Sequence, residues 1–288
     1  MNKVTGLMVV GGIYLLAALA GWATVAVVGS GAHPIEAFFY ADVVGTVVVF
    51  AGSMVLSNSS VYDPYWSVAP PLIAGAWTLS AVDGVAVRQV LVLVLLLAWG
   101  VRLTANWAVG WGGPRHEDWR YVQIREQTHG RLPWWLVTFT GIHMMPTLAV
   151  YLALLSAWPA LAGSRPIGWL DGLAAVVMLG AIALETIADL QLRRFARDPG
   201  NAGRTVDIGL WRRSRHPNYL GEIGVWWGLW LFGLAADPSW WWTIVGPIAM
   251  VVLFVGVSIP LMEKRSLARR PDYPVYQRDV PMLIPFVK

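Results

Sequence analysis

Eight apolar runs, separated by short polar or basic links, set the limits on what this chain can fold into. They lie at residues 6–29, 41–57, 66–82, 85–109, 134–158, 167–190, 217–236 and 242–261. Runs of about 17–25 apolar residues are long enough to cross a bilayer as helices. The third is short and interrupted by Pro70-Pro71, the pattern of a kinked or re-entrant segment. The expected fold is therefore all-α, a polytopic transmembrane helical bundle of seven to eight spans in a single domain. Composition agrees: 57% of the residues are hydrophobic and 13% charged, about half the charged share of a soluble domain. No internal repeat, low-complexity tract or second domain interrupts the pattern. Only Lys3 precedes the first run, and no small-residue cleavage site follows it, so it reads as a retained helix rather than a signal peptide.

The cations then orient the bundle, because Lys and Arg concentrate in cytoplasmic loops. With eight spans, 18 of the 21 fall on one side: Lys3, four Arg in 110–133, seven in 191–216 and six Lys or Arg in the tail. Only Arg88 and Arg165 fall on the other side, and Arg102 lies within a span. Both termini are thus expected in the cytoplasm, and the Arg/Ala/Val-rich composition points to a bacterial inner membrane. A net charge of +4 is too small to indicate a nucleic-acid partner. The expected partners are membrane lipid and a lipophilic small molecule.

Residues 210–227, LWRRSRHPNYLGEIGVWW, combine both features. Arg212, Arg213, Arg215 and His216 stand before Pro217, a residue suited to the first turn of a helix. Asn218, Glu222 and Trp226 follow at i, i+4 and i+8, so they share one helix face with Tyr219 beside them. An ionisable side chain inside a membrane is costly enough to mark function. This stretch reads as a pocket for an anionic ligand whose reactive end enters the bilayer.

Other polar groups converge on the same side. Glu185, Asp189 and Arg193 recur every four residues at the end of the sixth run; an Asp189–Arg193 pair capping the helix is the plainer reading. The arginines of 191–216, Arg197 among them, either set topology and attract anionic lipid or bind phosphate bidentately. The tail from Glu263, with Tyr273 and Tyr276, is either a short helix packed under the bundle or an interfacial aromatic anchor. NSSVYDPYW brings Tyr62, Asp63 and Tyr65 to the mouth of the third run, where Asp-Pro is also an ordinary turn signal. Arg102, in the WGVR at 99–102, can snorkel to the basic side or pair with Asp63 or with Asp118 of HEDWRY. With no cysteine and no paired histidine spacing, no metal site is expected. No GxGxxG, Walker loop or G-x-S-x-G elbow is present.

RHPNYLGE resembles the signature of the steroid 5α-reductase C-terminal-domain family, in its bacterial branch of uncharacterised membrane reductase-like proteins. A related HP-x-Y-x-G pattern occurs in isoprenylcysteine carboxyl methyltransferases. The ordered set from about Asn58 onward resembles the reductases: Y-D-x-x-W, WG-x-R, ED-x-RY, LWR-x-SRHPNYLGE-x-x-x-WW and DYPVYQRDVPMLIP. Residues 1–57 would then be two N-terminal spans before a reductase-like core at 58–288. The resemblance implies NADPH in a cavity open to the cytoplasm. By motif, Asp189 and Arg193 on the loop-entering helix, and Asn218, Tyr219 and Glu222 in the signature, fall on cofactor-contacting positions. Trp226 falls near the nicotinamide, and Arg213, Arg215 and His216 near phosphate or ribose. Glu185, Arg197, Glu263, Tyr273 and Tyr276 complete the implied cofactor set, the tail closing over it. Steroid reductases carry a Gln-Glu pair and a Tyr on early spans to polarise the substrate carbonyl; here Asp63, with Tyr62 or Tyr65, occupies the comparable place.

The implied function is an NADPH-dependent oxidoreductase of lipid metabolism, like a 3-oxo-5α-steroid 4-dehydrogenase. It would reduce a carbon–carbon double bond conjugated to a carbonyl in a lipophilic, steroid-like substrate. The alternative is an S-adenosylmethionine-dependent membrane methyltransferase of the isoprenylcysteine type. That cofactor carries no phosphate, so the Arg-rich loop favours the reductase. A non-enzymatic lipid-binding scaffold is the third reading, and Glu185 and Glu222 within apolar runs argue against it.

Overall fold

In the computed structural model, which describes residues 1–29 and 31–287, every regular element is helical. Ser30, in the loop expected at 30–40, and Lys288, the last tail cation, lie outside the described residues. In chain order the helices are α1 (Lys3–Val28), α2 (Pro34–Val55), α3 (Tyr65–Ser80), α4 (Ala86–Gly110) and α5 (Trp119–Thr128). They continue as α6 (Trp134–Ala162), α7 (Trp169–Arg197), α8 (Pro217–Ala236), α9 (Pro238–Arg269) and α10 (Tyr273–Asp279). Six of them, α1, α2, α4, α6, α7 and α9, are long and apolar enough to cross a membrane. α3 and α8 complete the bundle.

Local sequence explains the boundaries. Asn2 caps α1 by accepting from the Thr5 N–H at 2.8 Å, and His33 Nδ1 caps α2 at the Ile35 N–H, with Pro34 at the first turn. That cap starts α2 seven residues before the apolar run at 41–57 and turns most of the expected loop into helix. α3 is neither broken nor re-entrant. Pro70 and Pro71 sit inside one continuous 16-residue helix, and its far end reaches the start of α2 through Trp77 Nε1–H to Pro34 O at 3.4 Å. Gly100 of α4 lets α3 approach, since a Cβ there would clash with Ser67 O and lie 3.0 Å from Pro71 Cγ.

α7 and α8 are the closest neighbours, and small residues permit it. Cβ atoms on Gly221, Gly224 and Gly228 would lie 2.7–2.9 Å from Ala181, Glu185 or Met178 on α7. α6 and α9 each contain a π-helical turn, at Thr138–Met144 and Phe254–Ser258. Both are followed by a proline, Pro146 and Pro260, which lacks an N–H and crowds the preceding turn.

The basic segments meet at one end of the bundle. Lys3 Nζ donates to Val109 O at 3.0 Å, and Arg193 Nη2 to Asn106 O at 2.7 Å. The backbone N–H groups of Arg215 and His216 donate to Pro281 and Met282 O at 2.9 and 3.2 Å, tying the tail to the 191–216 loop. At the opposite end, Arg88 is not a loop cation: it is fully buried and paired with Asp171, Nε to Oδ1, at 2.6 Å. It also donates to the carbonyls of Gly163, Arg165 and Pro166, fastening the link between α6 and α7.

Candidate active site

The loop before α3 is placed by its polar residues. Asn58 Nδ2 donates to Pro114 and His116 O at 2.9 and 3.1 Å, and Ser60 Oγ accepts from the Asp118 N–H at 2.7 Å. Glu117 accepts from the Ser59 N–H at 2.9 Å. NSSVYD and RHEDWRY are thereby stitched together, and the Tyr121 hydroxyl donates to Asp63. Arg120 lies 3.7 Å from Asp63 and bonds Asp118 through Nε at 2.9 Å.

These groups form one wall of a cavity of about 380 Å³. Tyr62, Asp63 and Trp66 face it from the α3 side, and Asp118, Arg120 and Tyr121 from the α5 side. Glu185 and Asp189 of α7 and Asn218, Tyr219 and Glu222 of α8 form the opposite wall. Two groups expected at separate positions along the sequence thus share one space. Glu222 is 1% exposed and accepts from two indoles, Trp99 Nε1 at 2.8 Å and Trp226 Nε1 at 2.9 Å. Asp189 accepts from Arg102 Nη1 at 2.9 Å, Asn106 at 3.1 Å and Asn218 at 3.3 Å. Arg102 also pairs with Glu185. Arg102 therefore neither snorkels nor pairs with Asp63 or Asp118; it neutralises the α7 carboxylates within the bundle.

Electrostatics distinguish the two loop acids. Burial pushes the Asp63 carboxyl up to about 7, against the lowering pull of Arg120. Burial acts on Asp118 too, but the charge and hydrogen bonds of Arg120 outweigh it and hold that carboxyl below its ordinary value. Burial and the nearby Asp63 charge raise the Tyr121 phenol.

A second pocket, of about 230 Å³, opens at the basic end. Arg215, His216, Tyr273 and Tyr276 line it, with Thr205 and three tail cations, Arg265, Arg269 and Arg270. Asn218 and Tyr219 line both spaces and mark their junction. Tyr219 stacks on His216 there, centroids 5.5 Å apart and planes within 7°.

The remaining expected residues divide by role. Tyr65 faces away from the cavity, donating to Asp42 Oδ1 of α2 at 2.9 Å. Trp226 lies behind Glu222 and lines neither space. Arg193 holds the end of α4, while Arg197 and Arg213 are exposed and line neither space. Arg215 is already engaged, with Glu263 at 2.7 Å and the carbonyls of Gln277 and Val280, both at 2.7 Å. Glu263 accepts from Arg215, His216 and Gln277, so it organises the tail instead of lining a pocket. Sequence reasoning passed over Arg265 and Arg269, whose i, i+4 spacing puts them on one helix face. Among the described residues, Arg265, Arg269 and Arg270 have no carboxylate within ion-pair distance, and no three His, Asp or Glu side chains converge as a metal site.

Comparison with known proteins gives a family. A family model described as a protein of unknown function (DUF1295) matches residues 49–280, from within α2 to the end of α10. An uncharacterized protein of Schizosaccharomyces pombe is 31% identical over 265 residues, covering 83% of this chain and 76% of its own. No solved structure matches the chain. The family match takes in both pockets and every residue lining them, and the chain belongs to the DUF1295 family.

Proposed function

We propose that this protein is an integral-membrane, NADPH-dependent reductase of a double bond conjugated to a carbonyl in a lipophilic, steroid-like molecule. One observation carries the reading: a cation-lined pocket at the loop end joins an acid- and phenol-lined cavity at Asn218 and Tyr219. A ligand with a phosphorylated end and a planar end can lie across that junction.

The residues present fit NADPH. Arg265, Arg269 and Arg270 are free of ion pairs among the described residues, and guanidinium groups suit phosphate oxygens. When bound, NADPH supplies the hydride, which adds at the carbon β to the carbonyl. The chain then has to hold the developing enolate oxygen and provide the proton that ends at the α carbon. Asp63, poised near neutrality, faces the cavity as a donor; Tyr62 lines it too, with its hydroxyl bonded to Thr147 Oγ1 at 2.7 Å. Such stabilisation is typically worth about 3 kcal/mol. Tyr121 and Arg120 position the Asp63 carboxyl. The positive-inside rule puts the pocket's mouth in the cytoplasm, where NADPH is available.

The test is cofactor titration of detergent-purified protein, read by energy transfer from its 18 tryptophans. NADPH should saturate, and Arg265→Ala and Arg269→Ala should each weaken it about tenfold, the value of a hydrogen bond to a charged group. Arg215→Ala is a poor probe, because Arg215 holds the tail. Binding of S-adenosylmethionine alone would move the assignment to the methyltransferase, and binding of neither would end the reading.

A further inference from the structure

α6 and α9, both long and apolar enough to cross a membrane, also line the cavity. α6 and α9 pack tightly over Met145–Leu154 and Val245–Leu253, where a Cβ on Gly246 would lie 2.6 Å from Ala153 Cα. They part at their π-helical turns, one on each helix. Gly141, Met145 and Val257 line the cavity there and are exposed. A Cβ on Gly141 would meet nothing within 4 Å. Gly141 is seven residues into α6, about 10 Å along the helix at 1.5 Å per residue, so the gap lies at hydrocarbon depth. Its lining is apolar on both sides, with Phe254 at the inner rim against Tyr219, centroids 4.8 Å apart. Single π-helical turns interrupt the regular hydrogen-bond ladder and are frequent at functional sites.

We propose that the gap between the π-helical turns of α6 and α9 is the port through which an apolar ligand passes from the bilayer into the cavity, while a charged ligand enters from the basic end. Gly141 keeps the port open and Met145 narrows it. The inference rests on the cavity being a ligand site and is independent of which cofactor fills it.

The absence of native cysteine allows a direct test. Ser258 lines the cavity just inside the gap, so Ser258→Cys introduces a single reporter thiol. In nanodiscs, its labelling by N-(1-pyrenyl)maleimide, which partitions into lipid, is compared with labelling by the membrane-impermeant anion 2-sulfonatoethyl methanethiosulfonate. Gly141→Phe should slow the pyrene reagent by about tenfold, as closing a gated route does, and leave the anionic reagent within twofold. Met145→Ala should speed the pyrene reagent, a change that a folding defect at Gly141 cannot imitate. Gly11→Phe, on the open face of α1, should change neither rate. Pyrene rates within twofold of one another at Gly141→Phe and Met145→Ala, or parallel slowing of both reagents, would overturn the port. A failure of NADPH binding would leave this result untouched.

Discussion

Asp63 carries a measurable cost of its own. Burial raises its carboxyl from 3.8 to about 7 although Arg120 is 3.7 Å away. A raised value means the folded protein holds the proton more tightly than the unfolded chain does. The stability this contributes is complete below pH 3.8 and is lost as pH rises through 7. At about 1.4 kcal/mol per pH unit, the loss is about 4 kcal/mol, reduced to about 3 because the side chain is 15% exposed to the cavity. Asp63→Asn keeps an acceptor for the Tyr121 hydroxyl but cannot ionise. The variant should match the wild type near pH 4 and exceed it increasingly up to pH 8. For a chain of this size, that difference is about 6–12 °C in Tm. Thermal unfolding in detergent between pH 4 and 8 reads it, and the difference curve isolates Asp63 from other titrating groups. Parallel wild-type and variant curves would refute both the burial argument and the role of a protonated Asp63 in holding an enolate.

Three further perturbations separate architecture from site. Arg88→Met leaves the Asp171 carboxylate buried without its partner and should cost about 3–5 kcal/mol in denaturant unfolding; adding Asp171→Leu should recover much of that. Arg102→Met removes the cation between Glu185 and Asp189; it should destabilise by about 3–5 kcal/mol and weaken NADPH binding, because Asn218 is held through Asp189. Glu263→Gln breaks the pairs to Arg215 and His216; limited trypsin digestion should then cut at Arg278 faster, with the transmembrane helices left intact.

The sequence makes the bundle legible because apolar length and cation placement are local properties, and α8 begins and ends where its run does. The start of α2 was hidden because IEAFFY carries a Glu and aromatic residues, and only the His33 cap with Pro34 makes it helical. Glu222 and Asp189 were legible from their helical spacing. Their partners were not, since Trp99 and Arg102 stand on α4, more than 80 residues from the acids they bind. Tyr65 shows the converse error. It is two residues from Asp63, but helix α3 begins at Tyr65 and turns the phenol toward Asp42.

The two ends of the bundle use charge for different ends, and the contrast bears on which acids are functional. Arg88 makes five hydrogen bonds and is 0% exposed, with Asp171 at 2%, so the pair is closed to any ligand. Removing two charges from water is costly, and such closure suits a role in holding loops, here the link between α6 and α7. At the basic end the arrangement is open. Asp63, Asp189 and Glu222 all present to the cavity, while Arg265, Arg269 and Arg270 stand at the pocket with no carboxylate within ion-pair distance among the described residues. A bundle needing those three cations only for stability would pair them internally, as it does at the other end. Groups left facing a shared space are balanced by what enters it, and anions at the mouth with a hydrogen-bond acceptor at Asp63 meet that requirement.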